Sequence, residues 1–298
     1  MMGLQEHRWF RTVIFYTFNT MANTYTDICI HSYNSRGFDV DKQDVCKLLM
    51  LNNNSIIPIL CNQEHFQLQG NSYKIKQALP DCRIFFKKAI KDTTDGRPKN
   101  GMFIAVPKEI EENVEDVSPH HWRIQAVIIS TMNNKILVIN SYFPTDPRTQ
   151  VFDTSDLIST LDTINDMIIS NKCDHLIWAG DLNADFVRNT KFTTMVENFI
   201  MEKDMYRSWD KYQIDYTHVA DINGVTYTST IDHLVWSAGI HKNIVAANVL
   251  HLPQNLSDHC PIYCLVKIDG LSAKPRVILD RPKSKKHLKN KRTIFVVN

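Results

Sequence analysis

The sequence predicts a layered α/β sandwich: mixed β-sheets packed together, with helices outside. Three observations carry this. Short, apolar, β-branched runs recur along the chain, and three longer stretches show the i, i+3, i+4 apolar spacing of amphipathic helices. Several of the short runs follow one another with no helix between, which breaks the strict alternation that builds a purely parallel sheet.

The predicted buried strands are, in order, Ile28–Tyr33, Ile56–Cys61, Met102–Val106, Ile124–Ser130, Lys135–Tyr142, His175–Ala179, Thr230–Trp236, Val245–Leu250 and Ile262–Ile268. Helices are predicted over Asp41–Asn52, Thr154–Ser170 and Thr193–Lys203, with Asp153 or Thr154 placed to cap the second. At 298 residues and 43% hydrophobic the chain can bury a substantial core. Nothing in its middle reads as a linker, so one domain over residues 26–269 is expected. It is preceded by an unassigned segment, residues 1–25, and followed by residues 270–298.

The formal charge of +2 hides an asymmetry. Residues 270–298 carry nine Lys and Arg against Asp280 alone, which leaves a net −6 on the rest. An acidic body suits a site that gathers carboxylates around a cation. The basic, apolar-poor tail is expected to be disordered, either lying along phosphates or only keeping the chain in solution. The seven cysteines are scattered, odd in number and without a Cys-x-x-Cys pair, so neither a zinc site nor a disulfide framework is supported. No run has signal-peptide character or the roughly 18 apolar residues of a membrane span. A protein that is intracellular and not secreted, nuclear or cytoplasmic, without a membrane partner or an obligate protein partner, is therefore expected.

Candidate functional residues stand out by position. Asn34 follows the run Ile28–Tyr33, Gln63 and Glu64 follow Ile56–Cys61, Asp181 and Asn183 follow the run ending at Ala179, and Asp232-His233 interrupts an apolar strand. A carboxylate at a strand end can reach a shared crevice while the strand holds its position. Singly, each of these also reads as a turn or capping residue. Together they form a set that phosphodiester hydrolysis can use, because that reaction needs a cation, a base for water and a donor to the developing oxyanion. Glu64 supplies a hard oxygen ligand and Asp258 a second, as magnesium prefers. Asp181 can take the water proton, with the amide of Asn183 orienting it. His259 can donate to a phosphate oxygen while Asp232 sets its tautomer and raises its pKa. Tyr142 offers a phenol to the phosphate, and Asn34 an amide to metal or phosphate. Arg97 reads either as a substrate-phosphate contact or as a solvated loop charge.

Six short motifs then fall in one order: Ser32-Tyr33-Asn34-Ser35-Arg36-Gly37, Asn62-Gln63-Glu64-His65, Ser141-Tyr142-Phe143-Pro144, Gly180-Asp181-Leu182-Asn183, Thr230-Ile231-Asp232-His233 and Ser257-Asp258-His259-Cys260-Pro261-Ile262. This series resembles the endonuclease/exonuclease/phosphatase superfamily over residues 26 to 269. Within it the likeness is to the endonuclease domain of non-LTR (LINE-type) retrotransposons, a sister group of the apurinic/apyrimidinic endonucleases. The resemblance implies a four-layer α/β sandwich with two packed mixed β-sheets flanked by helices. It also implies magnesium-dependent nicking of DNA, with manganese as a substitute, that leaves a 3′-hydroxyl for reverse transcription. The 29 residues after the domain are too few for a polymerase, so the chain reads as a fragment, a decayed copy or a host gene derived from such an element.

Two departures stand beside the likeness. Asn62 occupies a place where an apolar residue is usual, so its amide requires a buried partner or costs on the order of 1–3 kcal/mol. Gln5-Glu6-His7 echoes Gln63-Glu64-His65, but only Glu64 has a strand run before it, and the metal role is assigned there. The competing functions are a lipid or inositol phosphate phosphodiesterase or phosphatase on the same scaffold, and a DNA-binding relic without turnover.

Overall fold

A computed structural model describes residues 24–51, 55–91, 96–146 and 153–272. The Gln5-Glu6-His7 echo and the basic tail from residue 273 onward lie outside the described residues. In chain order the elements are β1 (Thr24–Asn34), α1 (Val40–Leu49), β2 (Ile56–Gln63), α2 (Ser72–Ala78), β3 (Cys82–Lys87), β4 (Met102–Pro107), β5 (Val114–Asp116), β6 (Ile124–Ser130), β7 (Lys135–Tyr142), α3 (Ser155–Asn171), β8 (His175–Asp181), α4 (Lys191–Glu202), β9 (Met205–Arg207), α5 (Ser208–Lys211), β10 (His218–Ile222), β11 (Val225–Ser229), β12 (Asp232–Ser237), β13 (Ile244–Val249) and β14 (Ile262–Ser272).

Two six-stranded sheets result, ordered β13-β14-β1-β2-β4-β3 and β5-β6-β7-β8-β12-β9, with β10 and β11 as a separate hairpin. Each large sheet is mixed for the same reason: one parallel pair, β1 with β2 and β7 with β8, sits among antiparallel neighbours. Alternation along the strands then sets the layers. Ile28, Ile30, Ile57 and Ile59 of the first sheet pack against Val127, Val138, Ile177 and Trp236 of the second, forming the central core. The opposite face of the first sheet, with Leu60, Phe103 and Ala105, is covered by Val45 and Leu49 of α1 and Ile75 of α2. The outer face of the second sheet, with Ile139, Trp178 and Val235, is covered by Leu157, Leu161 and Ile164 of α3 and Val196 of α4. The result is the four-layer sandwich, and strands buried on both faces explain the continuous apolar runs.

The predicted helices are present with shifted ends. Asp153 rather than Thr154 supplies the cap bond of α3, its carboxylate accepting from the Ser155 N–H at 2.8 Å. The strand predicted from Thr230 begins at Asp232 instead. The Ile231 N–H is taken by the Thr217 hydroxyl at 3.1 Å and its carbonyl by the Leu182 N–H at 2.9 Å, so Ile231 is bonded outside the ladder. No helix among the described residues is long and apolar enough to cross a membrane.

Candidate active site

The parallel pairs decide where the chemistry collects. Parallel β1 and β2 end side by side, with Asn34 in register with Gln63, and Glu64 follows directly. Parallel β7 and β8 end together in the other sheet, with Tyr142 in register with Asp181. Antiparallel β12 starts at that edge, with Asp232 opposite Asp181. Antiparallel β14 also starts there, Ile262 pairing with Ser32, so Asp258 and His259 arrive just before it. Two features of the backbone make the convergence tight. A Cβ on Gly180 would lie 2.1 Å from the Ser141 carbonyl oxygen, so only glycine fits before Asp181. Arg36, Glu64 and Asn183 all adopt left-handed φ values, +44°, +54° and +48°, which are uncommon for non-glycine residues and cluster where function demands them.

Asn34, fully buried, braces the centre: its side-chain amide donates to Glu64 at 3.0 Å and to Asp181 at 2.9 Å. Asp181 also accepts the Asn183 N–H at 2.9 Å, so the main chain of Asn183 orients it, whereas the side-chain amide of Asn183 donates to the Phe143 carbonyl at 3.0 Å. His259 Nδ1 donates to Asp232 at 2.9 Å, and its Nε2 stands 3.9 Å from Asp181 and 4.0 Å from Asp258. Tyr142 stands beside Glu64 at the cleft. Arg36 makes a short ion pair with Asp258, with its Nε 4.0 Å from Glu64.

These contacts separate the protonation states. Burial and the charge of Asp232 push the Asp181 carboxyl up to about 7, against the opposing pull of His259 and the Asn183 and Asn34 donors. Burial lowers the His259 imidazole, but the carboxylates of Asp232, Asp181 and Asp258 outweigh it and raise the group to about 9. Burial raises Asp258, yet His218, His259 and Arg36 hold it down at about 2. Burial, with Glu64 and Asp181 close by, raises Tyr142 and keeps its phenol protonated.

All but one of the sequence-predicted site residues meet here. Glu64, Tyr142, Asp181, Asn183 and His259 line a cleft of about 240 Å³. Asn34 and Asp232 buttress Asp181 and His259 from behind, and Asp258 pairs with Arg36 beside them. Arg97 is not brought in: it is exposed, and its guanidinium lies over the Phe66 ring at 5.5 Å. Residues without a sequence signal join the cleft as well, among them His218 and Arg188. His218, at the start of the β10–β11 hairpin, bridges to His259 through the main chain and lies 3.7 Å from Asp258. Arg188 stands in the short turn after Asn183, paired with Asp185 at 3.1 Å.

Behind the site, buried amides join the two sheets. Gln63 of β2 donates to Asn140 of β7 at 2.7 Å, and Asn140 donates to the Asn62 carbonyl at 3.0 Å. Asn62 finds its buried partners in the Tyr33 carbonyl at 3.0 Å and the Ser35 hydroxyl at 3.3 Å.

The cluster suits a hard divalent cation. In each of two compact sets, His218 with Asp258 and His259, and Asp181 with Asp232 and His259, the ligand atoms lie within 4.8 Å of one another; Glu64 belongs to neither set and is joined to Asp258 through Arg36. Both sets use His259, whose Nδ1 is committed to Asp232, so the oxygens remain the better donors. The Asp258 Oδ1 and Asp232 Oδ1 are buried and accept no hydrogen bond among the described residues, and carboxylate oxygens match magnesium or manganese rather than a thiolate-seeking metal.

No protein-family model matches the chain, and no curated protein matches it. Solved structures do. The endonuclease domain of TRAS1, a telomere-specific non-LTR retrotransposon, superposes with a TM-score of 0.58 at 17% identity, covering 81% of this chain and 99% of that one. The AP endonuclease LMAP from Leishmania major gives 0.60 at 13% identity, covering 82% and 88%. The 3′ phosphatase NExo from Neisseria, bound to a product DNA hairpin, gives 0.60 at 16% identity, covering 80% and 99%. The fold is that of the endonuclease/exonuclease/phosphatase proteins.

Proposed function

We propose that this chain is a divalent-cation-dependent endonuclease that hydrolyses phosphodiester bonds in DNA, nicking one strand in the manner of a retrotransposon endonuclease domain. The observation that carries the reading is the paired arrangement of Asp181 and the His259–Asp232 couple at one cleft: a base near neutrality facing a fully protonated acid. Asp181 accepts the proton of the attacking water, held in line by the Asn183 N–H and the Asn34 amide. His259 presents Nε2–H to an oxygen of the scissile phosphate, with Asp232 fixing the ring and stabilising its charge. Tyr142 supplies a neutral donor. Glu64 and Asp258 would hold the cation, which when bound offsets charge on the phosphate oxygens. Nucleic acid as the substrate draws support from the named activities of the structures this fold resembles.

The test is incubation of supercoiled plasmid with the protein and Mg2+, beside inositol phospholipid vesicles under the same conditions. Conversion of plasmid to open circles, stopped by chelator, supports the reading. Phosphate release from the lipid without nicking would replace it by a lipid phosphatase on the same scaffold, and silence in both by a relic that binds without turnover.

A further inference from the structure

Arg36 stands where its charge is both helpful and in the way. Its backbone is held in the left-handed region, its own N–H donating to Asn34 Oδ1 at 3.1 Å and the Gly37 N–H to the Glu64 carbonyl at 2.8 Å. Those bonds aim the side chain into the cleft, where the guanidinium ion-pairs Asp258 and approaches Glu64. These are the two acidic residues assigned above to the cation, and Asp258 also stands 4.0 Å from His259 Nε2. The Arg36 side chain is half-exposed, so it can leave this position without a buried cost.

We propose that Arg36 is a resident counter-ion that a divalent cation must displace from Glu64 and Asp258, and that the displaced guanidinium then takes a phosphate of the substrate. This rests on the cation-dependent reading above. A cation coordinated by both carboxylates occupies the space between them, so guanidinium and metal exclude each other there. A guanidinium released into the same cleft offers planar, forked donors that match phosphate oxygens. Arg188 also lines this cleft, and His218 stands 3.7 Å from the Asp258 oxygen that Arg36 pairs with. Metal and substrate therefore bind cooperatively. Each draws Arg36 away from the arrangement that opposes the other, and by linkage the coupling is equal in both directions.

The test titrates Mn2+ into wild type, Arg36→Gln, Glu64→Gln and the double variant, following free Mn2+ by electron paramagnetic resonance. Each titration is run without DNA and with a short duplex carrying a non-hydrolysable linkage. The expected result is that Arg36→Gln binds Mn2+ about tenfold more tightly than wild type without DNA, a modest gain because the pair is partly solvated. The duplex then tightens Mn2+ binding in wild type but no longer in Arg36→Gln, and Glu64→Gln removes the site in both backgrounds. Equal or weaker Mn2+ binding by Arg36→Gln, with Glu64 still essential, overturns the displacement and leaves the cation site standing. Mn2+ binding that ignores Glu64 in either background overturns both.

Discussion

Asp232 and Asp181 are ladder partners across β12 and β8, and one imidazole reaches both: His259 Nδ1 lies 2.9 Å from Asp232 and Nε2 lies 3.9 Å from Asp181. Two buried carboxylates forced together cannot ionise freely, so the cluster settles with Asp181 raised and His259 held protonated. The strand register is thus the source of the acid–base pair.

Replacing Asp232 by Asn leaves the ring in place but removes the charge that keeps it protonated. The rate of nicking is expected to fall by about 10²- to 10⁴-fold near neutral pH. The alkaline limb of the pH–rate profile, set in wild type by His259 losing its proton near pH 9, moves toward lower pH. A pH–rate profile of the variant checks this, and an unmoved alkaline limb counts against the assigned acid.

Asn140→Ala removes the amide that joins the sheets. The Gln63 side chain and the Asn62 carbonyl each lose a buried partner. Gln63 Nε2 keeps the Ser32 hydroxyl and the Cys61 carbonyl, so a loss of about 1–3 kcal/mol is expected. Urea unfolding monitored by tryptophan fluorescence measures it, and a change below about 1 kcal/mol would show that the pair is dispensable.

Gly180→Ala places a methyl group on the Ser141 carbonyl oxygen, with backbone on both sides of the collision. The parallel β7–β8 pairing must part to admit it. Loss of soluble folded protein, or destabilisation of about 3 kcal/mol or more, is expected. Normal thermal melting of the variant contradicts the tight approach.

Stability should peak at mildly acidic to neutral pH. Burial lowers His31, His65 and His233 to about 4, below their ordinary 6.5. Their contribution is present above pH 6.5 and is lost as pH falls toward 4, up to about 3 kcal/mol each. Asp181 acts in the opposite sense over much of that window, because its folded carboxyl holds a proton up to about 7, but it is one group against three. His259, raised to about 9, contributes stability below pH 6.5 that disappears as pH rises through 9. Urea midpoints from pH 4 to 9.5 should trace a dome, and a flat acid side would refute the buried neutral histidines.

Much of this was legible because strands buried on both faces announce themselves as apolar runs, and a polar residue just past such a run must lie at a sheet edge. Glu64 and Asp181 were found that way. Asp258 and His259 follow no apolar run directly; they were read from their chemistry and then from the last motif of the series, just ahead of β14. The β10–β11 hairpin was missed because Val225, Tyr227 and their neighbours are largely exposed, with no buried face to imprint a pattern. His218 was lost with it, because it reaches the site through a main-chain bridge rather than any spacing. The edge strands β3, β5 and β9 are short or half-covered and carry weak periodicity. Asn140 reads as one polar residue inside an apolar strand, and only the packing of two sheets gives it Gln63 as a partner.

Single-turnover nicking of supercoiled plasmid in saturating Mg2+, by wild type, Asp181→Ala, His259→Ala and the double variant, tests the central claim most directly. If the two side chains act as one acid–base unit, each single substitution slows the reaction by about 10³-fold or more, and the double variant is little slower than either. Nicking within tenfold of wild type by either folded single variant would contradict the account.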